Sequence, residues 1–147
     1  LGKLDDDRSV ALMVVDLDQF KRVNDTFGHA MGDRVLRRTA RRLSAVTGTR
    51  PCVARTGGEE FTIAVPVDAD SAKHLADDIR EAVHDPGDDV PVTVSIGVAV
   101  LDAGRWRAAD SSYESAELMH NGLLDADAAM YESKHAGGNR ATVYSGT

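Results

Sequence analysis

Ser9 to Asp16 reads Ser-Val-Ala-Leu-Met-Val-Val-Asp, a near-continuous apolar run that stops at an acid. Such a run predicts a central strand covered on both faces. The polar stretch from Lys21 to Asp25 predicts a short helix or turn, and Thr26-Phe27-Gly28-His29 a loop. From Met31 the apolar residues Val35, Leu36, Ala40 and Leu43 return at helical spacing, with arginines opposite, until Gly48 and Pro51 stop the pattern. Val53-Ala54-Arg55 and Phe61-Thr62-Ile63-Ala64-Val65 read as two strands joined across Gly57-Gly58, a β-hairpin. Ala72, Leu75, Ala76, Ile79 and Val83 predict a helix over 70–84, and Pro86-Gly87-Asp88-Asp89 a turn. Val92 to Val100 alternates as a strand. From Leu101 to Ser115 no period is visible and irregular chain is expected. Leu118, Leu124, Ala128 and Tyr131 predict a helix over 117–135 that ends at Gly137-Gly138-Asn139. Ala141 to Tyr144 predicts a last strand.

The resulting order, β-α-α-β-β-α-β-α-β, predicts an α+β fold with a mixed central sheet and flanking helices. No internal repeat, low-complexity segment or linker interrupts it. The 147 residues suffice for one domain with a core of its own. Hydrophobic residues make up 42% and charged ones 28%, which suits a globular rather than a disordered chain. No apolar run approaches the roughly 20 residues of a membrane-spanning helix, so no membrane contact by this segment is expected. The net charge of -7 argues against tracking a nucleic-acid backbone. It leaves room for a nucleotide, because acids with a divalent cation can hold phosphates. The single cysteine, Cys52, excludes an internal disulfide framework, suits a reducing cytoplasm and reads as a buried thiol in a strand.

Four stretches carry chemistry. Gly57-Gly58-Glu59-Glu60-Phe61 sets adjacent carboxylates on a tight turn, where they repel each other unless a cation lies between them. A divalent metal bridging phosphates would serve. Asp16-Leu17-Asp18 places carboxylates at the end of the buried strand. They suit Mg²⁺, or merely terminate the strand and cap the next turn. Asn24 and Asp33 flank a polar loop. An Asp accepting from guanine N1–H and NH₂, helped by an Asn, would read that base; an Asx-turn and a helix N-cap at Asp33 explain the same residues without a ligand. Lys134 stands near a helix C-terminus, where the dipole favours it and where it could also meet phosphates. The histidines show no zinc spacing, and only His29 falls in a motif loop.

Taken together, these stretches resemble the GGDEF family of diguanylate cyclases over nearly the whole chain. Arg55-Thr56-Gly57-Gly58-Glu59-Glu60-Phe61 is similar to the signature hairpin, in its Glu variant. Asp16 through His29 with Gly32-Asp33 resembles the first block, Val92 through Ala99 the late strand, and Ala126 through Tyr131 with Lys134 and Asn139-Arg140 the last helix. The resemblance implies a fold like the polymerase palm and the class III nucleotide cyclases, with a ferredoxin-like core. It implies condensation of two GTP into cyclic di-GMP, with release of two pyrophosphates, by a homodimer that pairs two half-sites. Asp16, the Leu17 carbonyl and Glu59 would ligate Mg²⁺ or Mn²⁺. Glu59 and Glu60 would be the catalytic acids, Glu59 also as proton acceptor of the 3′-hydroxyl and Glu60 behind it or on a second metal. Asn24 and Asp33 would read guanine, and Asp33 would favour GTP over ATP because it cannot donate to adenine N1. Phe20, by its backbone, and Lys134 would lie along the phosphates, with Gly57 and Gly58 admitting them and His29 beside the site.

Departures from the family pattern carry further expectations. The usual Arg-x-x-Asp product-inhibition site falls on Gly48 and Pro51, so no feedback through it is expected. A basic residue common after the glycine of the last-helix turn is Gly138, which removes one phosphate contact. The family's opening segment ahead of the first strand is missing. Residues 1–147 therefore read as one GGDEF-like catalytic domain, a fragment of a longer multidomain protein. Covalently linked sensor or regulatory domains would lie outside it. The expected compartment is the cytoplasm, or the cytoplasmic part of a membrane-anchored protein. The competing reading is a non-catalytic GTP-binding module that controls a neighbouring domain; a cyclase making a mixed or adenine dinucleotide is disfavoured by Asp33.

Overall fold

A computed structural model describes residues 9–48, 52–109 and 111–145. The apolar run forms the central strand β1 (Ser9–Leu17). It pairs antiparallel with β3 (Glu60–Val67) on one side and with β4 (Val94–Leu101) on the other. Outside these lie β2 (Cys52–Arg55), antiparallel to β3, and β5 (Arg140–Val143), parallel to β4. The sheet order is β2-β3-β1-β4-β5, mixed as expected, and its first four strands have the ferredoxin-like arrangement. Cys52 falls in β2, but its side chain, like Arg50 and Pro51, lies outside the described residues.

Side-chain alternation along β1 divides the core. Ala11, Met13, Val15 and Leu17 face the helices α1 (Phe20–Phe27), α2 (His29–Thr47) and α3 (Ala72–Val83), packing with Val35, Leu43, Ile79 and Ile96. Val10, Leu12 and Val14 face α5 (Ser112–His135), meeting Met119, Leu123, Ala126 and Met130. Asp16 continues the second series and so points toward α5. The arginines of α2 fasten the loop after α3. Arg42 grips Asp88 with two bonds of 2.7 and 2.8 Å, and Arg38 reaches Asp89 at 3.1 Å. The Arg42 hydrogen bond holds the Asp88 carboxyl below its usual range, against a smaller effect of burial.

The structure corrects several expected boundaries. Thr26 and Phe27 belong to α1 and His29 opens α2; only Gly28, at φ 90°, separates the two helices. That left-handed backbone is what the glycine supplies. Asp33 therefore lies inside α2 and is not an N-cap. The stretch read as irregular holds α4 (Ala103–Ala108) and the first turn of α5. α5 is capped by Ser111, whose hydroxyl accepts from the Glu114 N–H at 3.1 Å. Ser111-x-x-Glu114 is a capping-box pattern, a signal that the missing apolar period outweighed.

Candidate active site

One end of the sheet gathers the acids. β1 ends there, β3 begins there, and the register sets Asp16 opposite Glu60, while the Leu17 N–H donates to the Glu59 carbonyl at 3.2 Å. The last turn of α5 brings Lys134 over the same edge, where a cation is also favoured by the helix dipole. Its Nζ lies 2.6 Å from Asp16 Oδ1, 3.4 Å from the Leu17 carbonyl oxygen and 3.5 Å from Asp18 Oδ1.

Asp16 and Asp18 meet different fates. Asp18 accepts from the hydroxyls of Thr93 and Ser95, both at 2.6 Å, and from the Asn139 N–H at 2.9 Å. Burial pushes its pKa up, but these bonds and Lys134 outweigh that and hold it below the ordinary carboxylate value. Asp18 is thus a clamp between the β1 end, β4 and the turn after α5. Asp16 has no hydroxyl or backbone donor among the described residues, only the Lys134 ammonium. Burial, with the charges of Asp18 and Asp127, raises its pKa despite the Lys134 hydrogen bond. Glu59 is raised too, first by burial, then by Asp16 and Glu60, with Lys134 opposing. Lys134 is pushed up because Asp16 and Asp18 outweigh its burial. Asp127, which acts on Asp16 from α5, and the Thr93-x-Ser95 pair were not singled out in the sequence. The hydroxyls at strand spacing, two residues apart like Asp16 and Asp18, were the available sign.

The hairpin differs from a two-residue turn. Thr56 to Glu59 connect β2 and β3, and the Thr56 and Gly57 N–H groups both donate to the Glu60 carbonyl, at 2.9 and 3.3 Å. With four connecting residues neither glycine is forced to positive φ, and neither has it. A Cβ on Gly58 would meet nothing within 4 Å, and one on Gly57 only Glu60 Cβ at 3.4 Å. Glu60 turns aside, accepting from the Thr56 hydroxyl at 3.1 Å.

The α1–α2 corner forms a second group. Asn24 lies against Gly32, immediately before Asp33, and Phe20 is buried beneath them at 8% exposure. The side chains of Asn24 and Asp33 make no hydrogen bond or ion pair among the described residues. His29 is exposed at the first position of α2 and bonds to neither group. α1 joins the two groups. Its N-cap, Gln19, has φ 55° and offers no side-chain cap; the Arg22 and Val23 N–H groups donate to its carbonyl, which leaves those of Phe20 and Lys21 without a partner among the described residues.

Among the described residues, no three carboxylate, thiolate or imidazole side chains form a closed metal cage. The donors that do converge are the Asp16 carboxylate and the Leu17 carbonyl, with Glu59 close enough to feel Asp16. An ammonium already lies against the first two of these oxygens. An all-oxygen set with an incomplete shell fits Mg²⁺ or Mn²⁺, which take one or two carboxylates and complete their coordination with phosphates and water.

Comparison with known proteins agrees with this geometry. The family model "Diguanylate cyclase, GGDEF domain" matches residues 2–140. The probable diguanylate cyclase DgcE of Escherichia coli K12 is 37% identical over 140 residues, covering 91% of this chain and 12% of that protein. Other curated relatives are likewise matched over less than half of their length. The active GGEEF domain of a Vibrio cholerae diguanylate cyclase superposes with a TM-score of 0.79 at 29% identity, over 95% of this chain and 85% of that one. The GGDEF domain of Caulobacter crescentus DgcB, solved with c-di-GMP, gives 0.74 at 33% identity, over 93% and 78%. With the palm-like fold, the acid end and the hairpin all in place, the chain belongs to the GGDEF-domain family of diguanylate cyclases.

Proposed function

We propose that residues 1–147 act as one catalytic domain, two copies of which condense two GTP into cyclic di-GMP and release two pyrophosphates. The observation that carries this is the convergence of Asp16, the Leu17 carbonyl, Glu59 and Lys134 beside a hairpin tip with open space at its glycines. A divalent cation held by Asp16, the Leu17 carbonyl and Glu59 would screen the phosphates and withdraw charge from the α-phosphorus. Lys134 reaches the phosphates from α5, and the uncapped start of α1 at Phe20 offers them backbone N–H groups. Gly57 and Gly58 leave room for the triphosphate. Asn24 and Asp33 bind the guanine edge. Each copy presents the 3′-hydroxyl of its GTP to the α-phosphorus held by the other, so neither copy alone closes the ring. Glu59 serves foremost as a metal ligand, since a carboxylate bound to a cation is a weaker base. Glu60, tied to Thr56, supports the hairpin behind it. Without an arginine and an aspartate at Gly48 and Pro51, product does not inhibit through that site.

No helix among the described residues is long and apolar enough to cross a membrane. We place the domain in the cytoplasm, where GTP is available, linked to sensor or regulatory segments of a longer chain.

The test is initial rate against protein concentration with GTP and Mg²⁺. A second-order rise in cyclic di-GMP is expected, levelling when the dimer saturates. GTP binding by calorimetry with no product, even from a tethered dimer, would overturn the cyclase reading and mark a GTP-sensing module instead.

A further inference from the structure

Gly32 lies in the second turn of α2 with ordinary helical backbone, so no positive φ calls for glycine there. An alanine would suit the helix better. What the position lacks is room. A Cβ built on Gly32 would stand 1.9 Å from Asn24 Oδ1, 3.1 Å from Asn24 Cγ and 3.2 Å from Phe20 Cζ. The Asn24 amide occupies the space a side chain would fill. Phe20 is packed in the core, whereas Asn24 is half-buried on a two-torsion side chain with no hydrogen bond to hold it elsewhere. A methyl group at residue 32 would therefore move the amide and leave the ring in place.

We propose that Gly32 is a specificity-determining position: its missing side chain seats the Asn24 amide beside Asp33, and so fixes the edge that distinguishes guanine from adenine. The inference rests on the guanine-reading role of Asn24 and adds a residue that touches no ligand itself. Recognition of a base edge by paired hydrogen bonds depends on placement within a few tenths of an ångström. Displacing one of two recognition groups should weaken binding of the matching base and leave the poorly matched one nearly unchanged.

The experiment is a double-mutant cycle with Gly32→Ala, Asn24→Ala and the pair. It measures binding of GTP and ATP with Mg²⁺ by calorimetry, kcat and KM for cyclic di-GMP formation, and Tm. For Gly32→Ala we expect an unchanged or higher Tm, kcat within about twofold, GTP binding about tenfold weaker, and a GTP-over-ATP preference reduced by the same factor. On the Asn24→Ala background the same change should do nothing further, because no amide remains to displace. Undiminished GTP affinity in Gly32→Ala, with a clear loss in Asn24→Ala, would overturn the role of Gly32 and leave the guanine reading standing. An Asn24→Ala protein that binds GTP normally would sink both. A Gly32→Ala protein that fails to fold, or equal losses for GTP and ATP, would show a packing constraint and end the specificity argument.

Discussion

At the acid end of the sheet Asp16, Asp18 and Lys134 already hold one another, whereas at the α1–α2 corner the side chains of Asn24 and Asp33 hold no partner among the described residues. Crowding explains the contrast. Burial raises the pKa of carboxylates at this edge, and the charges of their neighbours add to it, as at Asp16 and Glu59. The protein answers with an internal cation and with hydroxyl and amide donors on Asp18. The exposed Asp33 carboxylate has no second carboxylate against it, and the half-buried Asn24 amide carries no charge, so neither needs such an answer. The difference teaches where each half of the site keeps its readiness. Ligand binding at the acid end rearranges charges that already act on one another, while binding at the corner meets side chains with no partner among the described residues to give up. Substitutions at the acid end should therefore change stability and activity together, often in opposite directions. At the corner they should change recognition alone.

The largest expected effect comes from Glu59→Gln. It removes a metal-ligating charge, and cyclic di-GMP formation should fall about a thousandfold, as when one preorganised electrostatic group is lost. It also relieves repulsion from Asp16 and Glu60. A carboxylate whose folded pKa is raised opposes folding above that pKa, so metal-free Glu59→Gln should melt slightly higher than the parent. An unchanged or lower Tm would show that the acid end is not under charge strain. By the same shifts, Mn²⁺ binding should be full above the raised pKa values of Asp16 and Glu59. It should be lost as pH falls through them, sooner than for ordinary carboxylates near pH 4.

Asp18→Ala should give the largest loss of stability. It leaves the Thr93 and Ser95 hydroxyls and the Asn139 N–H without their acceptor, at a cost of about 2–3 kcal/mol by urea titration. Asp18 has a lowered folded pKa, so its contribution is present above the unfolded value of 3.8 and is lost as pH falls through the folded one. The acid limb of the stability profile should flatten in Asp18→Asn. A loss below half a kcal/mol would mean that water replaces the carboxylate without penalty, and that the clamp is no clamp.

Much of this was legible in the sequence. The β1 run, the helical spacing of Val35, Leu36 and Leu43, and the hairpin follow from periodicity, because burial selects apolar residues at the period of each element. Glu59 stood out because adjacent carboxylates on a tight turn repel each other, and Asp16 because it stops an apolar run, although an acid ending a strand needs no ligand to explain it. Less legible was whatever depends on contacts between distant segments. Asp16 and Asp18 look alike in sequence, and only the approach of Thr93, Ser95 and Asn139 separates a clamp from a ligand. Gly32 reads as a weak helix residue until Asn24 is seen lying against it. The first turn of α5 was missed because its start is marked by a cap rather than by apolar spacing.

At the corner, Asp33→Asn tests recognition without stability. The side chain is exposed and has no partner among the described residues, so Tm should stay within about a degree. The amide can donate to adenine N1 as the carboxylate cannot. GTP affinity should fall about tenfold and the preference for GTP over ATP should narrow, read by competition. A drop in Tm comparable to that of Asp18→Ala would erase the distinction between the two halves of the site.

The smallest expected effect is also the sharpest test of the hairpin tip. Gly58 has no positive φ, and apart from its chain neighbours no atom of the described residues lies within 4 Å of where a Cβ would stand. Nothing inside the domain requires a glycine, and replacing it should if anything favour folding by reducing the freedom of the unfolded chain. Gly58→Ala should therefore leave Tm equal or slightly raised. If the triphosphate passes close to the tip, the added methyl group meets the ligand instead of the protein, and KM for GTP should rise severalfold with kcat changed less. A variant with unaltered KM would place the phosphates away from the tip, leaving the acid end to hold them through Asp16, Lys134 and the start of α1.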